Sequence, residues 1–269
     1  DRRMTGNPPI SCYIRTKNEE RMIGDVIRAA QQVVSEVVLI DSGSTDRTIE
    51  IAEGLGARVV PSPWLGGGKQ KRLGEDASTH DWLLDLDADE VVTPELAAEI
   101  RAAFANGEPD AKVFEMNMAT SPPVGEVWLT YNLVDRRKLY DRRAVRQPDH
   151  ANWDQFKVPP GVRVAKLKAP LLHYSFRDLA QLEEKFNRNS SGRARDTKLK
   201  PFWLCALRML LARPIYFLNH YLRRGLWRAG WYGVAVASIA AHGRWLKDAK
   251  MVEIHLRNRQ AHRAGNTRT

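Results

Sequence analysis

The sequence predicts an α/β protein: a mixed, largely parallel sheet followed by a C-terminal amphipathic helical extension. Three observations predict it. Short apolar runs alternate with segments of helical spacing through the first hundred residues, as the strands and crossover helices of a doubly wound sheet do. Polar clusters follow the apolar runs, where such sheets collect functional groups beyond the carboxyl ends of their strands. After about residue 200 the chain becomes basic, rich in tryptophan and largely apolar.

Ser11-Cys12-Tyr13-Ile14 reads as the first strand, and in residues 21–30 Met22, Ile23, Val26, Ile27 and Ala30 recur at helical spacing. Val37-Val38-Leu39-Ile40 has the unbroken apolar character of a strand buried on both faces. The turn chemistry of Asp41-Ser42-Gly43-Ser44-Thr45-Asp46 leads into a helix over 48–55, with Asp46 suited to cap it. Arg58-Val59-Val60 gives a third strand and Trp82-Leu83-Leu84 a fourth that runs into carboxylates. Thr93 caps the next helix, with Pro94 at its first position. Between 111 and 174 short β-like pieces (112–116, 127–129, 163–167) are broken by Pro122-Pro123 and Pro159-Pro160, which reads as a mixed or antiparallel extension of the sheet. Beyond 200, residues 202–211 and 215–222 are apolar segments that Pro214 should separate, and 229–243 carries no charge.

The 269 residues suffice for one domain with appendages or two small ones, and 43% hydrophobic content argues against disorder. Two cysteines make no disulfide framework, so a reducing compartment is expected. The first fourteen residues lack an apolar stretch of the leader type, so no signal peptide is expected. Residues 193–269 hold 16 Lys and Arg against 3 Asp and Glu, a net of +13, whereas 1–192 carry −3; the overall +10 belongs to the tail. Such a surface attracts either nucleic acid or an anionic membrane. No nucleic-acid recognition signature is present. Trp203, Trp227, Trp231 and Trp245, interspersed with arginines around short apolar segments, instead suit helices lying in a lipid headgroup layer.

The chemistry is concentrated in Asp85-Leu86-Asp87-Ala88-Asp89-Glu90, four acids in six positions after an apolar strand. Acids this close require an offsetting cation or donors. In extended backbone Asp87 and Asp89 would point to one side and could share a hard cation, Mg²⁺ or Mn²⁺. A calcium loop is excluded, because Glu90 occupies the turn-glycine position and Leu96 that of the bidentate glutamate. Gly66-Gly67-Gly68-Lys69 is not a P-loop, since Gln70 stands where the metal-binding hydroxyl belongs, and no dinucleotide GxGxxG follows the first strand.

The ordered set Thr16-Lys17-Asn18-Glu19-Glu20, Val38 through Asp46, Gln70-Lys71 and Leu86-Asp87-Ala88-Asp89-Glu90 resembles family 2 inverting glycosyltransferases of the GT-A, nucleotide-diphospho-sugar transferase fold. Pro170-Leu171-Leu172-His173-Tyr174-Ser175 with Phe176 to Leu179, Lys185 and Asn187-Arg188 is similar to the branch of lipopolysaccharide core β-1,4-glucosyltransferases. The resemblance implies that Asp41 accepts hydrogen bonds from the uracil of a UDP-sugar, that Thr16, Asn18 and Glu20 line base and ribose, and that Lys71 lies near the nucleotide. It implies that Asp87 faces the ribose or sugar and that Asp89 holds Mg²⁺ or Mn²⁺ on the diphosphate, with His173 completing the metal site or orienting the diphosphate. Thr16 and Asn18 equally suit a turn.

Inverting transfer to a hydroxyl needs a base. Where the branch has a glutamate after a histidine, alignment on Gly161 gives Trp153-Asp154, so Asp154 is the expected base and Asp149 its rival. The expected organisation is a GT-A domain over 1–192 (nucleotide half about 8–110, acceptor half about 111–192) and a membrane-associating extension over 193–269. The expected function is metal-dependent transfer of a hexose, glucose from UDP-glucose first, to a lipid-linked surface glycan such as lipopolysaccharide core. The expected place is the cytoplasmic face of the cell membrane, with no nucleic-acid partner. The alternatives are a polyprenyl-phosphate glycosyltransferase and a non-catalytic membrane-bound protein that binds sugar nucleotides.

Overall fold

The computed structural model describes residues 6–266. The expectations about a leader and about the basic tail extend into residues 1–5 and 267–269, and to that extent lie outside the described residues. The chain divides into two compact units, one of Asp1–Thr120 with Leu133–Tyr174 and one of Ser121–Asn132 with Ser175–Thr269. The change of texture at 192/193 falls inside a continuous helix, Leu179–Asp196, whereas the units part at Tyr174/Ser175.

The first unit is built on nine strands: β1 (Ile10–Thr16), β2 (Glu36–Asp41), β3 (Arg58–Pro61), β4 (Trp82–Asp87), β5 (Glu90–Val92), β6 (Val113–Thr120), β7 (Val134–Asp141), β8 (Val164–Lys166) and β9 (Leu171–His173). Their order is β3-β2-β1-β4-β7-β6-β9-β5, with β8 on β6. The first four in this order are parallel; β7 enters antiparallel to both β4 and β6. The chain winds outward from β1 to β3 and then returns to lay β4 on the other side of β1. That reversal makes the carboxyl ends of β1 and β4 the topological switch point.

Alternation along the strands sorts the core. Ile10, Cys12, Ile14, Val37, Leu39, Leu84 and Leu86 pack on one face against Ile23, Val26 and Ile27 of α1 (Ile23–Ala30), while Tyr13, Val38, Ile40, Leu83 and Tyr140 fill the other. Burial of each large aliphatic side chain contributes about 1.5–3 kcal/mol. The helix α2 (Thr48–Gly54) has Arg47 at its N-cap position, and Asp46, one residue earlier, accepts the Thr48 N–H through Oδ1 at 3.0 Å. In α4 (Pro94–Ala103) the Thr93 hydroxyl accepts the Leu96 N–H at 3.1 Å.

The helix α3 (Gly67–Ala77) has no counterpart in the sequence expectation, which weighed Gly66-Gly67-Gly68-Lys69 only as a phosphate loop and rejected it. It brings Lys71 beneath the sheet, where Nζ meets Asp85 Oδ2 of β4 at 2.7 Å, both groups buried. Farther along, the fully buried Glu75 accepts hydrogen bonds from the Tyr140 hydroxyl (2.8 Å) and the Gln147 N–H (2.7 Å). The pieces expected at 112–116 and 163–167 appear as β6 and β8. Residues 127–129 form no strand; Trp128 and Tyr131 belong to the second unit and pack on Phe176, Leu182 and Leu226.

The second unit is helical: α5 (Leu179–Asp196), α6 (Phe202–Leu218), a π-helical turn (Asn219–Arg223), a 3₁₀ turn (Leu226–Ala229) and α7 (Gly230–Asn266). Arg208 of α6 donates to both oxygens of the buried Asp248 on α7 at 3.0 Å, and Lys250 of α7 is bound by Asn187, Ser190 and Ser191 of α5. Pro214 does not separate two segments as expected. The helix runs through it, and Pro214 lies on the exposed side, where a missing hydrogen bond disturbs packing least.

Lys71→Met should cost about 3–5 kcal/mol in urea unfolding, because it leaves the Asp85 carboxylate buried without its cation; adding Asp85→Leu should recover most of the loss. His220 predicts a pH effect. Burial first, then Arg224 and Arg244, lower its pKa from 6.5 to about 4, and its Nδ1 lies 2.9 Å from the Tyr131 hydroxyl. The unfolded chain therefore binds the proton that the native state refuses, and stability should fall as pH drops from about 6.5 to about 4. In pH-dependent thermal melts His220→Phe should flatten the slope in that window.

Candidate active site

The polar cluster forms where β1, β2 and β4 end. Parallel pairing sets Thr16 beside Asp41 and Arg15 beside Asp87. On β4, Leu84 and Leu86 enter the larger core, so period-two alternation turns Asp85 and Asp87 to the face shared with Tyr13 and Arg15. Arg15 grips Asp87 through two nitrogens, Nε at 2.9 Å from Oδ1, and Lys138 Nζ stands 3.8 Å from Oδ2. Burial by itself would raise the pKa of Asp87, but Lys138, Arg15 and Lys71 outweigh it and hold the carboxyl well below the usual range.

Lys138 also contacts Glu90 Oε2 at 2.7 Å, and the same oxygen accepts the Asp87 N–H at 2.9 Å. Burial pulls the Lys138 pKa down, yet Asp85, Glu90 and Asp87 push it above its ordinary value, so the amine stays charged. Burial pushes the Glu90 carboxyl up, against the pull of Lys138 and with the push of Asp87. Two buried cations, Lys71 and Lys138, and the largely covered Arg15 thus balance the acids that close β4.

The backbone from Asp87 to Asp89 is not extended as the sequence reading has it. The strand ends at Asp87, Ala88-Asp89 form a turn into β5, and Asp89 is redirected. Antiparallel pairing of β5 with β9 places Glu90 opposite His173, and the Tyr174 N–H donates to the Asp89 carbonyl at 2.9 Å. His173 Nε2 then lies 3.2 Å from Asp89 Oδ2, with side chains 27% and 29% exposed and open to a ligand. The two residues expected at a metal are side by side.

On the β2 side, Asp41 Oδ2 accepts the N–H groups of Gly43 and Ser44 at 2.9 Å each, and Oδ1 takes the Ser44 hydroxyl. Asn18, at a positive φ of 54°, accepts the Thr45 N–H at 2.8 Å, and Glu20 accepts the Arg47 N–H at 3.1 Å. Asn18 and Glu20 therefore tie the loop after β1 to the loop after β2, while Asp41 shapes the latter from within. The Thr16 hydroxyl is buried beside them without a hydrogen-bond partner.

The loop carrying Asp154 is seated by the glycine run. Gly67 N–H donates to Ala151 O at 2.7 Å and Lys69 N–H to His150 O at 3.2 Å. A Cβ on Gly68 would stand 2.1 Å from the Trp153 carbonyl oxygen, closer than any side chain permits. The run that resembled a phosphate cradle is a docking surface for backbone. Lys71 Nζ donates to Asp154 O at 3.3 Å and lies 3.8 Å from Asp154 Oδ2, while an Arg15 nitrogen lies 4.0 Å from that oxygen. A cavity of about 200 Å³ is lined by Asp154, Lys71, Asp87, Glu90, Lys138 and His173. A shallower groove is lined by Arg15, Trp64, Gly66, Gly67, Asn152 and again Asp154, which alone among the described residues borders both. Asp149 is exposed and borders neither.

Sequence reasoning assigned no role to Arg15, Lys138 or Glu90. Arg15 immediately precedes the Thr16-Lys17-Asn18 set, and its register opposite Asp87 is the signal that was missing. Lys138 lies on β7, whose charged first half, Val134-Asp135-Arg136-Arg137, hides the strand.

Residues 11–158 match the family model described as Glycosyl transferase family 2. An uncharacterized glycosyltransferase of Rickettsia felis is 31% identical over 93% of this chain and 92% of its own length. The lipopolysaccharide core biosynthesis glycosyltransferase LpsC of Rhizobium meliloti is 30% identical over 92% of this chain and 93% of its own. Among solved structures, glucosyl-3-phosphoglycerate synthase from Mycobacterium tuberculosis aligns with a TM-score of 0.42 and 19% identity, covering 65% of this chain and 75% of that one. With more than half of its length matched by the family model, and with relatives at 30% identity or above along nearly all of it, the chain belongs to glycosyl transferase family 2.

Proposed function

We propose that the enzyme moves a hexose, glucose from UDP-glucose first, to a hydroxyl of a lipid-linked surface glycan of the lipopolysaccharide core type, with inversion at the anomeric carbon. The observation that carries this reading is the position of Asp154 as the shared wall of two cavities, one lined by Asp87, Lys138 and His173 and the other open beside Trp64 and Asn152. A base with a donor on one side and an acceptor on the other is what an in-line displacement requires. The likeness to a lipopolysaccharide core enzyme along nearly the whole chain supports the acceptor class.

In this reading the nucleotide lies over the ends of β1 and β2, with Asp41 and the unpartnered Thr16 hydroxyl toward the base and ribose and Asn18 and Glu20 holding the loops that frame them. Asp87, fixed by Arg15 and Lys138, faces the sugar. Asp154 takes the proton from the acceptor hydroxyl as its oxygen bonds to the anomeric carbon, and the bond from that carbon to the diphosphate oxygen breaks on the opposite face, releasing UDP. Lys71 and Arg15 hold the Asp154 carboxylate at the junction.

Asp89 and His173 fit one divalent ion. Their carboxylate oxygen and ring nitrogen sit 3.2 Å apart, partly exposed, and no group of three or more His, Cys, Asp or Glu converges as a cation site among the described residues. Two protein ligands leave the remaining positions for phosphate oxygens and water, as Mg²⁺ and Mn²⁺ sites in phosphate chemistry do. An ion held there would supply positive charge to the departing diphosphate.

Asp154→Asn should lower kcat for a hydroxyl acceptor by roughly 100-fold or more while UDP binding persists. Turnover unchanged within a few fold would point to an already ionised phosphate acceptor instead. Asp89→Ala should remove the Mn²⁺-dependent part of UDP affinity in calorimetry, and His173→Ala should weaken it. Equal Mn²⁺ enhancement in both variants would exclude this pair as the metal site.

A further inference from the structure

The helix α6 is packed on one side only. Cys205 and Ala212 are buried, Cys205 against Met251 of α7, and Arg208 is committed to Asp248. Its other side presents Trp203, Leu207, Leu210, Leu211, Ile215 and Leu218, each 47–78% exposed. At 3.6 residues per turn these six fall within an arc of about 140°. Leu222 continues the stripe into the π-helical turn, and Trp231, at the start of α7, is 88% exposed. Single exposed apolar residues need no explanation, but a continuous stripe of this kind marks an interaction surface.

The charge around it identifies the partner. From residue 197 to 247 there is no Asp or Glu and there are nine Lys and Arg. Arg213, Arg223, Arg224 and Arg228 are exposed, with Arg213 over the Trp245 ring at 4.4 Å and Arg228 over the Trp227 ring at 4.6 Å. An acid-free, arginine-edged apolar face with tryptophans toward its ends is complementary to an anionic headgroup layer above hydrocarbon. At 17 residues with two arginines, α6 does not span a bilayer, and no described helix is long and apolar enough to cross one. We infer that this face of α6, continued by Leu222 and Trp231, docks flat on an anionic lipid surface with its apolar stripe below the headgroups and its arginines among them.

The test is flotation of the full chain with vesicles of phosphatidylethanolamine and phosphatidylglycerol, against vesicles of phosphatidylcholine alone. Neither donor nor acceptor is present, so the outcome is separate from the transfer chemistry. The wild type should float with the anionic vesicles and much less with the neutral ones. Leu210→Glu with Ile215→Glu, two exposed positions whose replacement leaves the packed side intact, should weaken binding by roughly 100-fold. Arg223→Gln and Arg228→Gln should each weaken it about fivefold. Circular dichroism melts should coincide for all of them. No flotation of the wild type, or equal flotation of the glutamate pair, overturns the inference. So does a lipid-free dimer that the glutamate pair converts to monomer, because the stripe would then be covered by a second copy of the chain.

Discussion

The functional end of the sheet depends on charge compensation in a place water hardly reaches. Asp85, Asp87 and Glu90 lie within or just after β4, and each meets a cation brought by a different element: Lys71 from α3, Arg15 from β1 and Lys138 from β7. An isolated carboxylate at the depth of Asp85 or Glu90, each 1% exposed, would cost several kcal/mol or take up a proton. The pairs therefore fix which strands must be neighbours before any ligand arrives. β1 has to lie beside β4 in the register that sets Arg15 against Asp87, and β7 has to come in antiparallel on the other side.

That compensation also divides labour among the acids. Asp85 and Glu90, each 1% exposed, build the floor. Asp87, held by Arg15, Asp89, taken out of line by the Ala88-Asp89 turn, and Asp154, on a loop from elsewhere, keep part of their carboxylates accessible. A floor whose charges are already paired adds little repulsion of its own, and the accessible acids stand at the rim. The same architecture explains why a cluster of four acids yields no site of three or more convergent ligands among the described residues.

Much of this was legible in the sequence. The four central strands and the helices after β1 and β2 announced themselves through aliphatic runs and helical spacing, and the cap of α4 through Thr93-Pro94, because these are local signals. Asp87, Asp89 and the rival bases could be named because residue chemistry is local too. What was not legible depends on pairing between distant segments. Lys138 on a half-charged strand, the meeting of Asp89 with His173 through β5 and β9, and the burial of Lys71 by a glycine-led helix all need tertiary context that overrides local preference. Pro214 is the opposite case: a local breaker signal that packing against α7 overruled. The compact units likewise part where the sheet ends, earlier than the charge texture indicated.

The glycine run before Lys71 has a consequence for how the rim can move. Gly67 and Lys69 bind the main chain of the 148–154 loop directly, and Lys71, two residues on, reaches the Asp154 carbonyl. Helix start and loop are thereby held together as a single body. Any displacement of the loop must carry the Asp154 carboxylate and the Lys71 ammonium along together, so that their mutual alignment is kept.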